Sequence, residues 1–328
     1  MNQNITENEI KNYEELMDIG NEENKPDPDK LNQLLAHNKN YPKKLKLKYL
    51  KNLKIGKWSL SIILPVFIII IIVYILVKNI FGYNAQFKLI KVKNKQEISK
   101  VAGDIIIDVL HKNQNPKISL SSGVLPKGIY KYLIDKFQDK EISFENTTFF
   151  SLDEYCGLNS DSKKSNYHYI KDNLLDHVDI DEKKIYLING FGDNCQENAD
   201  KYNDLLNNNE IDLNILSIGN DENLGLNGPG TAFDSKTHIT ELSQKKKEEI
   251  AELFDFDLNN IPMFGITQGI NNILNSKSVL IVASGKDKAK GMKNLIKGKV
   301  SKDIPISALK NHLGIIYVVA DEDACSMI

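Results

Sequence analysis

The order of apolar and polar residues divides the chain into three parts. Residues 1–42 are rich in Asn, Glu, Asp and Lys without apolar periodicity, and the KPDPDK sequence at 25–30 interrupts any helix. Trp58–Val77 is a run of twenty residues that carries no charge. From about residue 84, short apolar runs alternate with segments of helical spacing. The pattern predicts a disordered polar tail, a hydrophobic span and one folded domain over 84–328.

Trp58–Val77 has the length and composition of a transmembrane helix. At about 1.5 Å per residue it crosses roughly 30 Å of hydrocarbon. A buried core helix is the alternative, which the flanking Lys57 and Lys78 and the uncharged run disfavour. The basic juxtamembrane segment 43–57 holds seven lysines. By the positive-inside rule it predicts a single-pass protein, anchored in the lipid bilayer, with its N-terminus in the cytoplasm. The side of the large domain stays open, because lysines also follow the span at Lys88, Lys91, Lys93 and Lys95.

The alternation beyond residue 84 predicts an α/β domain with a doubly wound, mainly parallel sheet and helices on both faces. Six apolar runs predict strands that begin at Ile118, Thr147, Ile185, Leu213, Val279 and Ile315. Helical spacing predicts helices at Gln96–Asn113, Pro126–Phe137, Asn166–Leu175, Gln196–Leu206, Thr267–Leu274 and Ala289–Ile296.

Composition excludes some classes of function. With 41% hydrophobic and 26% charged residues and a net charge of -2, the chain has an ordinary globular composition, and no basic stripe in the domain favours nucleic acid. Cys156, Cys195 and Cys325 show no CxxC spacing, so we expect three free thiols and no zinc site. We expect no metal and no cofactor.

Two loops after predicted strands carry candidate chemistry. The loop Ser121–Pro126 has hydroxyls and Gly123 before a helix, which suits a phosphate as well as an ordinary N-cap. The loop that begins at Ser151 places Asp153 and Glu154 just past a strand, where a carboxylate can act as a general base or remain a solvated pair.

Two further loops follow later strands. Ser217–Gly230 reads SIGNDENLGLNGPG, a Gly- and Asn-rich turn in which Asp221 is the favoured functional carboxylate. The loop at 284–289 places Lys286 and Lys288 at the start of a helix, where a cation can share an anion with the helix end. In a parallel sheet all four loops emerge at the same carboxyl edge, so they predict one site.

These motifs resemble the glucosamine-6-phosphate deaminase family, whose relatives include galactosamine-6-phosphate isomerases and 6-phosphogluconolactonases. The resemblance runs from about Lys88 to Ala324. It implies interconversion of an aminoaldose phosphate and a ketose phosphate with loss of ammonia, in which Asp153 carries a proton between C1 and C2. The matching segments are SLDEYCGL from Ser151, SNYHYIKDNLLDHVDI from Ser165, IGNDENLGLNGPG from Ile218, ITQGINNIL from Ile266, the turn from Gly285 to Lys288, and ISALKNH ending at His312.

The chain departs from the family at its ring-opening motif, DGHIAFNEPG. Asp221 matches, but Asn223 stands at the histidine and Gly228 at the glutamate. An amide cannot exchange a proton near neutral pH as an imidazole does. His168 and His238 are candidates to supply the imidazole, although a structural role is favoured for both.

The phosphate positions are also altered. The family's TGGT loop reads Ser122-Gly123-Val124-Leu125, and Glu252 stands near the expected arginine. Lys288 matches the phosphate-contacting lysine. The resemblance therefore implies phosphate contacts at Ser122, Gly123 and Lys288.

The leading hypothesis is a membrane-anchored glucosamine-6-phosphate deaminase/isomerase-like protein of amino-sugar phosphate metabolism with lost or changed activity. If it is active, Asp153 is the base, Asp221 a polar partner, and the hexosamine 6-phosphate is already open-chain. The alternative is a non-catalytic sugar-phosphate-binding or scaffold module. Lactone hydrolysis is disfavoured because that branch also uses the missing histidine. The resemblance also allows a homo-oligomer.

Overall fold

The computed structural model describes residues 86–192, 194–219 and 222–328. The predicted polar tail, basic juxtamembrane segment and span at 58–77 lie outside these described residues. Within them, no helix combines the length and apolar character needed to cross a membrane.

The larger sheet has seven strands, and every pairing between neighbouring strands is parallel. Its strands are β1 (Gln86–Val92), β2 (Lys117–Leu120), β3 (Thr148–Ser151), β5 (Ile185–Tyr186), β6 (Leu213–Ser217), β9 (Ser278–Ala283) and β10 (Ile315–Asp321). They lie in the order β1-β10-β9-β6-β2-β3-β5. The predicted parallel sheet is confirmed, with β1 as a strand that the pattern did not predict.

Helices cover both faces of this sheet, as predicted. Side chains alternate along β9, so Leu280 and Val282 join one core cluster while Val279 and Ile281 join the other. The helices are α1 (Lys95–Lys112), α2 (Val124–Gln138), α3 (Asn166–Asn173), α4 (Cys195–Asn207), α5 (Gln244–Ile250), α6 (Ile270–Leu274) and α7 (Ala289–Ile296). The first cluster includes buried residues of α1 to α3, and the second includes residues of α6 and α7.

A second, antiparallel sheet was not predicted. It contains β4 (Asp153–Tyr155), β8 (Phe264–Thr267) and β7 (His238–Glu241), with β8 in the middle. The prediction that a helix begins at Thr267 is wrong, because Thr267 ends β8 and pairs with both neighbours of that strand. The helix begins only at Ile270.

The prediction of three free thiols is wrong for two cysteines. Cys156 and Cys195 form a disulfide with a Cα–Cα distance of 6.1 Å, whereas Cys325 is free and buried. The second sheet explains the pairing, because Cys156 directly follows β4 and its N–H bonds to Phe264 O of β8 at 3.0 Å. A Cβ on Gly190 would lie 2.1 Å from the Tyr155 carbonyl oxygen, so glycine lets the segment before α4 approach β4 closely.

Candidate functional site

The four candidate loops leave the carboxyl ends of neighbouring strands. They follow β2, β3, β6 and β9, which are consecutive in the order β9-β6-β2-β3. Because these strands are parallel, the loops lie at one edge of the sheet. The prediction that they share an edge is confirmed.

Asp153 begins β4, directly past the end of β3. Its Oδ1 accepts a hydrogen bond from Asn166 Nδ2 at 2.7 Å. The side chain is half-buried, and burial raises the pKa of Asp153 to about 6, while Lys246 and the Asn166 hydrogen bond lower it and Glu249 raises it. The carboxylate is therefore mostly ionised at pH 7. A carboxylate that titrates just below the working pH suits a general base.

Glu154 has a different role from its neighbour, since adjacent side chains of a strand point to opposite sides. The buried carboxylate accepts backbone N–H bonds from Tyr155 at 2.7 Å, Asn166 at 3.0 Å and Tyr167 at 2.7 Å. Burial raises the pKa of Glu154 to about 7, and these three bonds oppose the rise. Glu154 therefore anchors the first turn of α3 to β4, which keeps Asn166 beside Asp153.

The loop after β2 runs into the N-terminus of α2. Gly123 occupies the N-cap position with φ of 124°, so no side chain caps this helix, and its first turn has no acidic residue. The Ser121 hydroxyl is buried and has no hydrogen-bond partner among the described residues. Ser122 lies between the strand and the helix start. An uncapped helix start with neighbouring hydroxyls suits an anionic group. Val124 replaces the second glycine of the family's phosphate motif, and its side chain is 77% exposed.

Two positions that depart from the family motif face each other in the Ser217–Gly230 loop. Asn223 is buried, and a Cβ on Gly228 would lie 3.9 Å from Asn223 Oδ1 with no other atom within 4 Å. Glu222 adopts a left-handed conformation with φ of 61°, and its carboxylate lies 3.2 Å from Lys290 Nζ. Asp221, the predicted polar partner, lies outside the described residues.

Gln268, which sequence reasoning missed as a functional support, joins the two sheets immediately after β8. Its backbone N–H bonds to Leu152 O at 2.8 Å, and its Nε2 bonds to Ser119 Oγ at 2.8 Å and to Ser151 O at 2.9 Å. Its Oε1 accepts a bond from Asn214 Nδ2 at 2.8 Å. Gln268 is fully buried, so this network ties the end of β8 to β2, β3 and β6. A single glutamine after an apolar run forms no periodic pattern, so the sequence alone does not indicate this supporting role.

Lys288 and Glu252 lie in separate segments. Lys288 ends the 3-10 turn that follows β9, and its Nζ lies 3.0 Å from Asp287 Oδ2. Glu252 is exposed in the 3-10 helix Ala251–Phe254, which continues from α5. The structure brings Lys288 to the carboxyl edge of the larger sheet, as predicted, and places Glu252 on the segment that packs on β4.

The two histidines considered as substitutes for the imidazole have local contacts. His238 Nδ1 lies 2.7 Å from Lys236 O, directly before β7. The backbone N–H of His168 bonds to Ser165 Oγ at 3.0 Å in the first turn of α3. The ring contact of His238 fits a structural role, whereas the His168 contact involves its backbone alone.

The fold and site define a doubly wound α/β protein. At the carboxyl edge of its sheet lie the carboxylate of Asp153 and the uncapped N-terminus of α2, which suits an anion. Residues 93–317 match the family described as glucosamine-6-phosphate isomerases/6-phosphogluconolactonase. The chain therefore belongs to this family.

Individual relatives agree with the family assignment. The chain is 34% identical to a glucosamine-6-phosphate deaminase of Oceanobacillus iheyensis over 238 residues, 72% of this chain and 94% of the relative. It is 33% identical to glucosamine-6-phosphate deaminase 1 of Bacillus subtilis, over 73% of this chain and 99% of the relative. A solved structure of a monomeric glucosamine-6-phosphate deaminase matches with a TM-score of 0.71 and 33% identity, over 74% of this chain and all of that one.

Proposed function

We propose that this chain is a membrane-anchored glucosamine-6-phosphate deaminase/isomerase-like protein that binds a hexosamine 6-phosphate but does not open its ring. The observation that carries this proposal is the pair Asn223 and Gly228, which face each other where the family motif has an imidazole and a carboxylate. The deaminase names of the relatives support the class of ligand.

The proposed chemistry follows from the groups at the carboxyl edge. Asp153 removes the C2 proton of an open-chain aminoaldose phosphate. The electron pair of that C–H bond forms the C1–C2 double bond, and the C1 carbonyl electron pair moves onto O1, which gives an aminoenolate. Ring opening before that step requires a proton on the ring oxygen. Neither the amide of Asn223 nor Gly228 supplies one near neutral pH. Cyclic hexosamine phosphate should therefore bind without turnover.

We assign the binding of the ligand's phosphate group to the start of α2 and to Lys288. The uncapped helix start, the Ser121 and Ser122 hydroxyls and the Lys288 ammonium support this assignment. Isothermal titration of the full-length protein should show glucosamine 6-phosphate binding at least about tenfold more tightly than glucosamine, since a charge-assisted phosphate contact contributes about 1.5 kcal/mol or more. Equal affinities would contradict a phosphate subsite.

The alternative function is a non-catalytic sugar-phosphate-binding or scaffold module. The same pair, Asn223 and Gly228, favours it, because a site without ring opening can still hold its ligand. A binding module should bind glucosamine 6-phosphate and retain that affinity in the Asp153→Asn variant. A pure scaffold should show no saturable binding at all.

The anchor and its orientation are part of the proposal. The uncharged run at 58–77 and the preceding lysines support a single-pass protein with a cytoplasmic N-terminus. The Cys156–Cys195 disulfide supports a domain on the oxidising side of the membrane, where disulfides persist. An outward-facing domain would not meet cytosolic hexosamine phosphates, which weighs against turnover of a cytosolic substrate.

Protease added to intact cells tests this orientation. The proposal predicts that external protease digests the large domain and leaves an N-terminal tag intact until the cells are lysed. Protection of the large domain before lysis would place it in the cytoplasm and contradict the orientation.

A further inference from the structure

We propose that Lys246 of α5 is the charge partner of Asp153 and stabilises this carboxylate for its proposed role as a base. This inference rests on the proposed role of Asp153 as a base. Lys246 acts through Asp153 and is therefore a positioning residue. The argument depends on the position of α5, on the side of the helix that carries Lys246, and on the groups around Asp153.

The helix α5 and the turn after it pack on β4. Ile250, Ala251 and Phe254 join Tyr155 of β4 in one buried cluster, which also includes Leu226 and Leu242. The rings of Tyr155 and Phe254 meet edge to face with centroids 6.3 Å apart. Because Tyr155 is two residues from Asp153 on a short strand, this packing holds α5 close to the Asp153 end of β4.

Helical spacing places Lys246 on the packed side of α5. Lys246 lies four residues before Ile250, which is one helical turn and therefore the same face. Its side chain is 25% exposed, and its Nζ lies 3.7 Å from Glu249 Oε2. Lys247 points elsewhere, since its Nζ lies 3.7 Å from Glu241 Oε1 of β7. The two adjacent lysines thus have similar burial but different neighbours.

The charged and titratable groups around Asp153 come from four elements. Asn166 of α3 donates to the carboxylate, Tyr130 lies on α2, and Glu154 and Tyr155 follow Asp153 on β4, Glu154 with its side chain on the opposite side of the strand. From α5, Lys246 lowers the pKa of Asp153 and Glu249 raises it. Burial raises the pKa of Tyr155 to about 12, and Lys246 opposes this rise.

A cation at this position suits the proposed proton transfer. When the C2 proton moves to Asp153, the C–H electron pair enters the C1–C2 bond and the carbonyl electrons remain on O1 as an oxyanion. Before the step, the ammonium favours the ionised form of the base. Lys246 therefore acts through Asp153 and exchanges no proton itself.

The test is a pH titration of Asp153 in the full-length protein, in which carbon-13 NMR monitors labelled aspartate carboxyl groups. The Asp153→Asn variant identifies the Asp153 signal. Lys246→Gln should raise the pKa of Asp153 by about one unit, because an opposite charge within a few ångströms lowers a carboxyl pKa by about that much or more. Glu249→Gln should shift it in the opposite direction. Lys246→Arg should preserve the wild-type value.

Lys247→Gln is the matched control, because it removes the same charge from the next residue of the same helix. It should leave the Asp153 titration within about 0.3 unit of wild type, as expected for a more distant, screened charge. Equal shifts in Lys246→Gln and Lys247→Gln, or no shift in Lys246→Gln, would overturn the inference. Since this titration needs no ligand, failure of glucosamine 6-phosphate to bind would count against the proposed function alone.

Discussion

The double substitution Asn223→His and Gly228→Glu is expected to raise ammonia release from glucosamine 6-phosphate at least about 100-fold above the wild-type protein. General acid–base catalysis by a positioned side chain contributes about 10²- to 10⁴-fold. The imidazole would protonate the ring oxygen, and the carboxylate would orient it. Asp153 would then receive an open-chain substrate and remove its C2 proton.

The structure leaves space for the first carbon of a side chain at position 228. A Cβ on Gly228 meets only Asn223 Oδ1, at 3.9 Å, so a glutamate side chain can begin toward position 223 without a clash at its first carbon. Each single substitution should gain much less, because the imidazole and the carboxylate work as a pair. Adding Asp153→Asn to the double variant should abolish the gain. A folded double variant that releases ammonia no faster than wild type would contradict the assignment of these two positions.

Loss of the Cys156–Cys195 disulfide is expected to lower the free energy of unfolding by about 4 kcal/mol. The bond closes a chain segment of 39 residues, and the entropy model for a loop of that length gives about this value. The measurement is urea unfolding of Cys156→Ser/Cys195→Ser against wild type without reductant, followed by tyrosine fluorescence.

Reductant provides the control for this prediction. It should shift the unfolding midpoint of wild type toward that of the double serine variant and leave the variant unchanged. The buried free thiol Cys325 is present in both proteins and cancels from the comparison. A wild-type midpoint that does not respond to reductant under unfolding conditions would contradict a stabilising disulfide.

The larger sheet was predictable because its strands are short apolar runs separated by helices. The runs from Ile118, Leu213 and Val279 coincide with β2, β6 and β9. Their alternation with helices predicts a parallel sheet, in which the four loops lie at one edge. Asp153 and Lys288 were found at that edge, whereas the roles assigned to them remain predictions.

The second sheet could not be predicted from local pattern. Its strand β4 is only Asp-Glu-Tyr, and two of these three residues, Asp and Glu, are of types depleted in strands. The disulfide was missed for the same reason, because the pairing of β4 with β8 positions Cys156 and this pairing was not predicted. The helix α5 reads QKKKEEI, which resembles a solvated charged segment, and its tertiary packing gives Lys246 its place.

The central claim is that the site keeps its base and its ligand but lacks ring opening. The most direct measurement is release of ammonia and fructose 6-phosphate from glucosamine 6-phosphate by the purified full-length protein, with Asp153→Asn as the control. The account predicts saturable binding and no release above the control. Release by wild type that disappears in Asp153→Asn would contradict it, because another group would then open the ring.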